Sequence, residues 1–495
     1  MVHKPQSNKL SSRRRARLAM TCVSIAANAI CAGGVFTFPL MSPALVTHLK
    51  LTQPQLTTIA LAGMMGQYPF AAVVGKVIDV YGPWACSLVS ACLFSTGFGL
   101  FSWEISQTPD DILRSSSSVF HRLTAFFFIA GLGTVFSYFS SVFAASKIFP
   151  DLIGMASGTS MALFGLSPMF FSIIASNFFS DPDVGLDVMH YLRFLSILCG
   201  VVHFIGAFNL VIPSPLEESD IPQSTTDIEE SATVGEASAL LPRTPNNNIA
   251  VQNPRDNDGS IIDLLKDLNF WILAFIVFVV LGSCEMILSN IGTIVLSLPS
   301  YSSSMIRASR VPSTDIATST QVRILSLANT ISRLLVGPLA DLLSPVICYL
   351  PSGMRGFPRK HLISRMVFLT FATFVLVITF AWMIIGVKSQ GAVWFLSIGA
   401  GISYGCAFTV LPSIVSSVWG LSNLGRNYGV LTYAPFLGTP AFSYLYAFVA
   451  ANRASEDNIC RGPQCWQLTF EWSTAAVLIA CFASIYLWRI WRGQV

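Results

Sequence analysis

Twelve apolar windows of about 20 residues, each long enough to cross the hydrocarbon core of a bilayer, take up most of this 495-residue chain. They fall near residues 18–40, 56–78, 84–103, 123–146, 153–179 and 191–212, and again near 270–298, 322–343, 362–385, 392–418, 428–450 and 469–488. Lipid leaves a backbone few ways to satisfy its own polar groups, so windows of this length predict helices. Composition agrees: 53% of the residues are hydrophobic and 11% charged, where a soluble globule carries about 25% charged. The expected fold is therefore an all-α membrane protein with 12 transmembrane helices in two six-helix bundles.

A polar insert separates the two sets of six. Residues 213–267 hold eleven acids, three bases (Arg243, Arg255, Lys266) and six prolines. Such a segment buries too little apolar surface to offset its ordering entropy, and it predicts a disordered linker. The predicted domains are a basic tail (1–17), an N-terminal bundle (18–212), the acidic linker (213–267), a C-terminal bundle (268–490) and a short tail (491–495). An even number of spans puts both termini and the insert on one face. The tail carries Lys4, Lys9, Arg13, Arg14, Arg15 and Arg17, which the positive-inside rule assigns to the cytoplasm. Without that tail, the Lys and Arg of the short loops divide almost evenly between the faces, so orientation rests on the first helix. The first apolar run is too long for a cleaved signal sequence, and the basic tail reads as a topology signal with no nucleic-acid partner implied.

The two halves share a local pattern. Gly75-Lys76-Val77-Ile78-Asp79-Val80-Tyr81-Gly82 closes the second span, and Gly337-Pro338-Leu339-Ala340-Asp341 closes the eighth. Each places a Gly four residues before an Asp at the corresponding hairpin. The Gly permits close helix approach, and the Asp is suited to pairing with a neighbouring helix N-terminus. A parallel repeat of six-helix halves is a recurring transporter plan.

The segment from Gly75 to Gly82, together with the twelve-span layout, resembles the major facilitator superfamily. Three shorter segments resemble its fungal monocarboxylate-transporter-homologue (Mch-type) and nodulin-like branch: Lys147-Ile148-Phe149-Pro150 followed by Gly154-Met155-Ala156-Ser157-Gly158, Gly165-Leu166-Ser167, and the run from Trp419 to Gly429. The resemblance implies a carrier of small solutes working by alternating access. Two departures bear on chemistry. Animal-type monocarboxylate porters place a Lys after the Phe-Pro of helix 1, where this chain has Phe38-Pro39-Leu40. They also carry Asp-x-x-x-Arg in helix 8, where this chain has Asn329-Thr330-Ile331-Ser332-Arg333.

Charged residues inside spans are costly, about 2.5 to 3.5 kcal/mol on insertion scales, and mark candidate sites. Arg333 lies eight residues before Asp341, about 12 Å from the helix end, with Asn329 one turn away on the same face. A guanidinium and an amide suit an anionic solute, because Arg binds a carboxylate at two points. Structural ion pairing is the competing role. Glu285, inside the seventh span with Gly282, Ser289 and Gly292 on its stripe, is suited to a proton relay or to an ion pair; counted from Phe270 it lies about 22 Å along the helix, nearer the outer leaflet than Arg333. His203 titrates near cellular pH when exposed, yet a lone helical His more often packs. Asn28, Gln67, Tyr68 and Tyr433 are expected either to line a cavity or to join helices.

Outside the spans, Glu236-Ala237-Ser238-Ala239-Leu240-Leu241 fits an acidic dileucine signal read by a sorting adaptor. It favours a vacuole membrane, with the plasma membrane as alternative. Cys460 and Cys465 bracket a short Gly-Pro segment on the non-cytoplasmic side, where a disulfide is expected and metal binding is the weaker alternative. Most other cysteines read as small apolar packers.

No nucleotide-hydrolysing domain or catalytic constellation is evident, and no cofactor or metal is implied. The expectation is a secondary active transporter, a symporter of a small organic solute such as a monocarboxylate or other anion, and not an enzyme. A non-transporting sensor or scaffold of the same fold, and an uncoupled uniporter, remain open alternatives.

Overall fold

The computed structural model describes residues 6–108, 116–149, 153–181, 185–211, 261–299, 313–344, 348–349, 355–356, 362–419, 424–455 and 459–492. Helices α1 (Gln6–Cys31) and α2 (Phe38–Leu49), joined by a 3-10 turn at Gly34–Thr37, make span 1, and α3 (Gln53–Met65) with α4 (Ala71–Tyr81) makes span 2. Spans 3 to 6 are α5 (Pro83–Gln107), α6 (Ser117–Ile148), α7 (Ile153–Phe178) and α8 (Val188–Asn209). A short helix, α9 (Ile261–Lys266), precedes spans 7 to 9: α10 (Leu268–Leu296), α11 (Ser313–Leu343) and α12 (Met366–Gly386). Span 10 is α13 (Trp394–Trp419), span 11 is α14 (Leu424–Leu431) with α15 (Tyr433–Ala451), and span 12 is α16 (Gln467–Ile490).

Among the described residues, nine of these stretches are long and apolar enough to cross a membrane by composition alone. The other three have physical reasons for falling short. Spans 2 and 11 are interrupted, the first at a turn over residues 66–70 that contains Gly66 and Pro69. Span 8 is one helix but carries Gln321, Arg323, Asn329, Arg333 and a series of Ser and Thr. A helix that polar is stable in lipid only with its polar stripe turned inward. Span 1 breaks at Gly33-Gly34, just before Pro39, a common origin of kinks.

Aromatic side chains fill both bundles. Phe94, Phe98, Phe101, Phe127 and Tyr191 are fully buried in the N-terminal half, as are Phe380, Trp466 and Phe470 in the C-terminal half. Phe204, Phe208, Phe371, Phe374 and Phe482 are instead exposed, forming the apolar exterior that lipid requires.

The halves meet along α2 with α10, α3 with α15, and α7 with α11. Gln53 Nε2 donates to Asn290 Oδ1 (3.1 Å) and Thr293 Oγ1 (3.3 Å), and Thr57 donates to the same Asn290 oxygen (3.1 Å). The Thr58 and Tyr444 hydroxyls are 3.0 Å apart. On the other flank, Arg323 reaches Ser172 O at 3.1 Å and also Ser176, while the Ser172 and Ser319 hydroxyls are 2.8 Å apart. Gly292 permits this closure: a Cβ there would sit 2.0 Å from Pro39 O. These contacts run along the face opposite the chain termini. Toward the termini, α4 packs mainly on α5 and α6, and α14 on α13, each within its own half. The conformation is thus sealed on the face away from the termini.

Several details depart from the sequence reading. Helix α1 begins at Gln6, well inside the basic tail, because Arg, Lys, Leu and Ala are good helix formers. The linker also ends early. Residues 261–266 are helical, Leu264 is buried, and Asp267 caps α10 through Asn269 N (2.9 Å) while accepting from Trp419 Nε1 (3.0 Å). Residues 213–260, including Glu236, Leu240 and Leu241, lie outside the described residues.

The two Gly-to-Asp hairpins differ in what they show. Asp341 accepts from Arg365 Nη2 at 2.8 Å, and Arg365 also donates to Ser344 O (2.9 Å). Arg365 is the N-cap of α12, so this Asp ties the end of span 8 to the start of span 9. In the first hairpin Gly82 adopts φ 87°, a conformation suited to glycine. The side chain of Asp79 lies outside the described ones.

Candidate functional site

Glu285 is 1% exposed in the middle of the molecule and accepts three hydroxyl hydrogen bonds. Tyr404 donates to Oε1 at 3.1 Å, Thr439 donates to Oε2 at 2.5 Å, and Tyr68 donates to Oε1. Tyr404 and Thr439 belong to α13 and α15 of the same half, whereas Tyr68 comes from the turn inside span 2 of the other half. A buried carboxylate is tolerable only when hydrogen bonds replace its lost hydration. The triad of donors does this, with no cation paired to it among the described residues.

Arg333 is half-buried, its Nε donating to Asn329 Oδ1 at 3.0 Å. Its guanidinium carbon sits 5.8 Å from the Tyr404 ring centroid and 5.5 Å from that of Phe408. The two rings, 4.8 Å apart, stabilise the cation electrostatically from one side. Neither terminal nitrogen of Arg333 has a hydrogen-bond partner among the described residues, so both are free to hold an anion. Tyr138 of the N-terminal half and Tyr428 of the C-terminal half lie within electrostatic reach of this guanidinium.

Tyr404 therefore touches both candidate groups, the ring against Arg333 and the hydroxyl on Glu285. Glu285 lies about 26 Å from the start of α10 and Arg333 about 15 Å from the end of α11, so Glu285 stands farther than Arg333 from the face that holds the termini. Helix α10 has 29 residues and spans about 43 Å, so it overshoots the hydrocarbon core and Glu285 falls near its middle. The two charges share one tyrosine without forming a direct ion pair among the described residues.

The remaining candidates lie elsewhere. Asn28 and His203 are fully buried inside the N-terminal half. Asn28 Nδ2 donates to Ser87 Oγ at 2.9 Å; His203 Nδ1 is 2.7 Å from Cys199 O and Nε2 is 2.5 Å from Ser137 Oγ. Both ring nitrogens of His203 are engaged by partners within one bundle, and the Ser137 contact joins α6 to α8. Gln67 bonds back to Gly63 O (3.1 Å). Tyr433 is 57% exposed, against Phe436, because it stands about 120° round the helix from Thr439. The structure joins Cys460 to Cys465 with Cα atoms 5.7 Å apart, and the loop between them docks on α10 through Gly462 N and Ser297 O (2.7 Å).

Thr439, Tyr404 and Phe408 were missed by sequence reasoning. Thr439 lies in an apolar run without any charge to mark it. Tyr404 had a usable signal, since Gly401 and Gly405 bracket it at helical spacing. A Cβ on either would meet the α11 backbone at 2.6 Å, so α13 must lie directly on the helix that carries Arg333.

Residues 21–443 match the family model for the Major Facilitator Superfamily, and the chain belongs to that superfamily. Among its relatives, "Probable transporter mch1" of Neurospora crassa is 27% identical over 98% of this chain and 92% of its own length. "Probable transporter MCH1" of Saccharomyces cerevisiae is 24% identical over 94% and 91% respectively. Among solved structures, the nucleoside transporter NupG superposes with a TM-score of 0.58 at 13% identity, covering 96% of this chain and 99% of that one. A D-xylose-proton symporter gives 0.59 at 12%, covering 95% and 97%. At such identities these structures speak to the fold. The protein is thus a multi-pass membrane protein of a transporter superfamily, with two bundles of six spans.

Proposed function

We propose that this protein is a secondary active carrier of a small organic anion, coupled to protons, in which Arg333 holds the anion and Glu285 the proton. The carrying observation is that Tyr404 contacts both groups at the junction of the halves, where Tyr68 crosses from the other bundle. An anion on the free guanidinium nitrogens draws Arg333 away from the Tyr404 ring, and Tyr404 is a donor to Glu285. A proton on Glu285 turns a threefold acceptor into a group with its own hydrogen to place, which weakens the bond from Tyr68. Each ligand thereby biases how the halves meet, which is the thermodynamic requirement for coupling. Asn329 sets the guanidinium's direction by holding Nε.

The curated fungal relatives named as probable transporters, and the proton symporter among the structural neighbours, support a carrier role. We place the protein in a vacuole membrane, on the strength of the acidic dileucine at Glu236, Leu240 and Leu241, with an adaptor as its sorting partner. The testing experiment is uptake of labelled small acids into sealed vesicles with and without a pH gradient, in wild type, Arg333→Ala and Glu285→Gln. Gradient-driven accumulation lost in both variants supports the reading. A ligand that binds and never accumulates points to a sensor, and uptake equal with and without the gradient points to a uniporter.

A further inference from the structure

We infer that the transported anion is a monocarboxylate with a flat apolar body, such as an aromatic acid, in preference to a short aliphatic acid, a dicarboxylate or a polyol. This rests on the reading of Arg333 as the anion's partner. The C-terminal side of the site is a guanidinium lying against a ring pair, Tyr404 and Phe408, whose centroids are 4.8 Å apart. The N-terminal half brings an aromatic cluster to the level of Asn329, through Gly165. Phe164 packs against Phe36 (centroids 5.7 Å apart) and against Tyr138 (5.1 Å), and all three are half-buried.

The two sides are held close together. Gly165, next to Phe164, packs on Asn329 and Thr330, and its carbonyl accepts from Ser326 at 2.6 Å. Tyr138 lies within electrostatic reach of Arg333. A solute whose carboxylate meets Arg333 therefore presents the rest of its body to Phe164, Phe36 and Tyr138.

Beyond that one cation, the Tyr138 and Tyr428 hydroxyls make no hydrogen bond among the described residues, and the other polar side chains nearby are committed. Tyr68, Tyr404 and Thr439 are committed to Glu285, Asn329 to Arg333, and Asn28 and His203 to partners inside their own bundle. A polyol needs several such groups free, because hydroxyls leaving water without replacement bonds lose more than they gain. A second carboxylate needs a second cation. Arg323, the next basic residue along α11, is held by Ser172 and Ser176 at the outer seal. Flat apolar surface against aromatic rings is what this site stabilises.

The test uses the purified full-length chain in detergent, with benzoate, acetate, succinate and xylose as probes and Kd read by calorimetry. Benzoate is expected to bind at least 10-fold tighter than acetate, and xylose and succinate more weakly than benzoate. Phe164→Ala should narrow the benzoate-to-acetate ratio by about 3- to 10-fold, the range for one ring contact. Phe164→Leu, which keeps most of the volume and removes the ring, should narrow it in the same direction if the alanine variant does not fold. Equal binding of benzoate and acetate, or a ratio unmoved by both Phe164 variants, overturns the inference while leaving Arg333 as the anion's partner. Xylose binding tighter than benzoate, or benzoate binding unchanged in Arg333→Ala, overturns both.

Discussion

Tyr68, in the turn that interrupts span 2, donates its hydroxyl to the carboxylate of Glu285 in the opposite half of the molecule. The bond places a titratable group at the surface that must rearrange when the halves rock. A hydrogen bond to a charged acceptor contributes about 1.5 to 3 kcal/mol, a large share of the few kcal/mol separating two conformations of a carrier. Tyr68→Phe is therefore expected to keep the fold and lower the steady-state accumulation ratio at a fixed pH gradient by several-fold. An unchanged ratio contradicts the assignment of Tyr68 to the coupling.

Arg333 is expected to act on binding. Replacing it with Lys keeps the charge and loses the two-point geometry, so the apparent KM for the anion should rise about 10-fold or more, as for loss of a charge-assisted bond. Asn329→Ala should give a smaller rise, since it frees Nε without removing the cation. Initial-rate kinetics in vesicles separate these effects, and an Asn329 variant worse than the Arg333 one would reverse the roles given to them.

Closure of the face away from the chain termini depends on the absence of a side chain at Gly292, where a Cβ would lie 2.0 Å from Pro39 O. Gly292→Ala should hold the halves apart there and raise the labelling of a cysteine placed at Thr57, which is fully buried in the seal. The check is the rate of modification by a membrane-impermeant maleimide from that face. A rate no faster than with Gly292 intact refutes the seal.

The loop between Cys460 and Cys465 should take up alkylating reagent only after reduction, read as a mass shift of the peptide that contains it. Its docking on Ser297 predicts that Cys460→Ser with Cys465→Ser lowers thermal stability, by less than the several kcal/mol typical of long-loop bridges because the closed loop is short.

Replacing Leu240 and Leu241 together with Ala is expected to move the protein from the vacuole to the cell surface. Fluorescence imaging of a tagged chain reads this directly, and an unaltered vacuolar pattern removes the sorting role.

Much of this fold was legible because lipid enforces length and apolarity. Span 8 was visible as a helix for its apolar residues, and Arg333 was visible as a candidate for its charge, since a guanidinium in a span must have a reason. The same logic found Glu285. What the sequence hid was the partner set. Tyr404 and Thr439 look like ordinary members of apolar helices, and only the packing of α13 on α11 and of α15 on α10 brings them to the charges. Tyr433 shows the converse. It shares α15 with Thr439 yet stands about 120° round the helix from it and is exposed, a difference that residue type does not reveal. Asn28 and His203 were conspicuous as polar residues in spans, yet their partners lie within one bundle.

A proton carried on Glu285 makes the accumulation ratio of a labelled monocarboxylate in sealed vesicles, followed as the pH gradient is varied, differ between wild type and Glu285→Gln. The ratio is expected to climb with the gradient in wild type and to stay near one in the variant, while exchange of labelled for unlabelled solute continues in both. A variant that still concentrates solute in step with the gradient would contradict it.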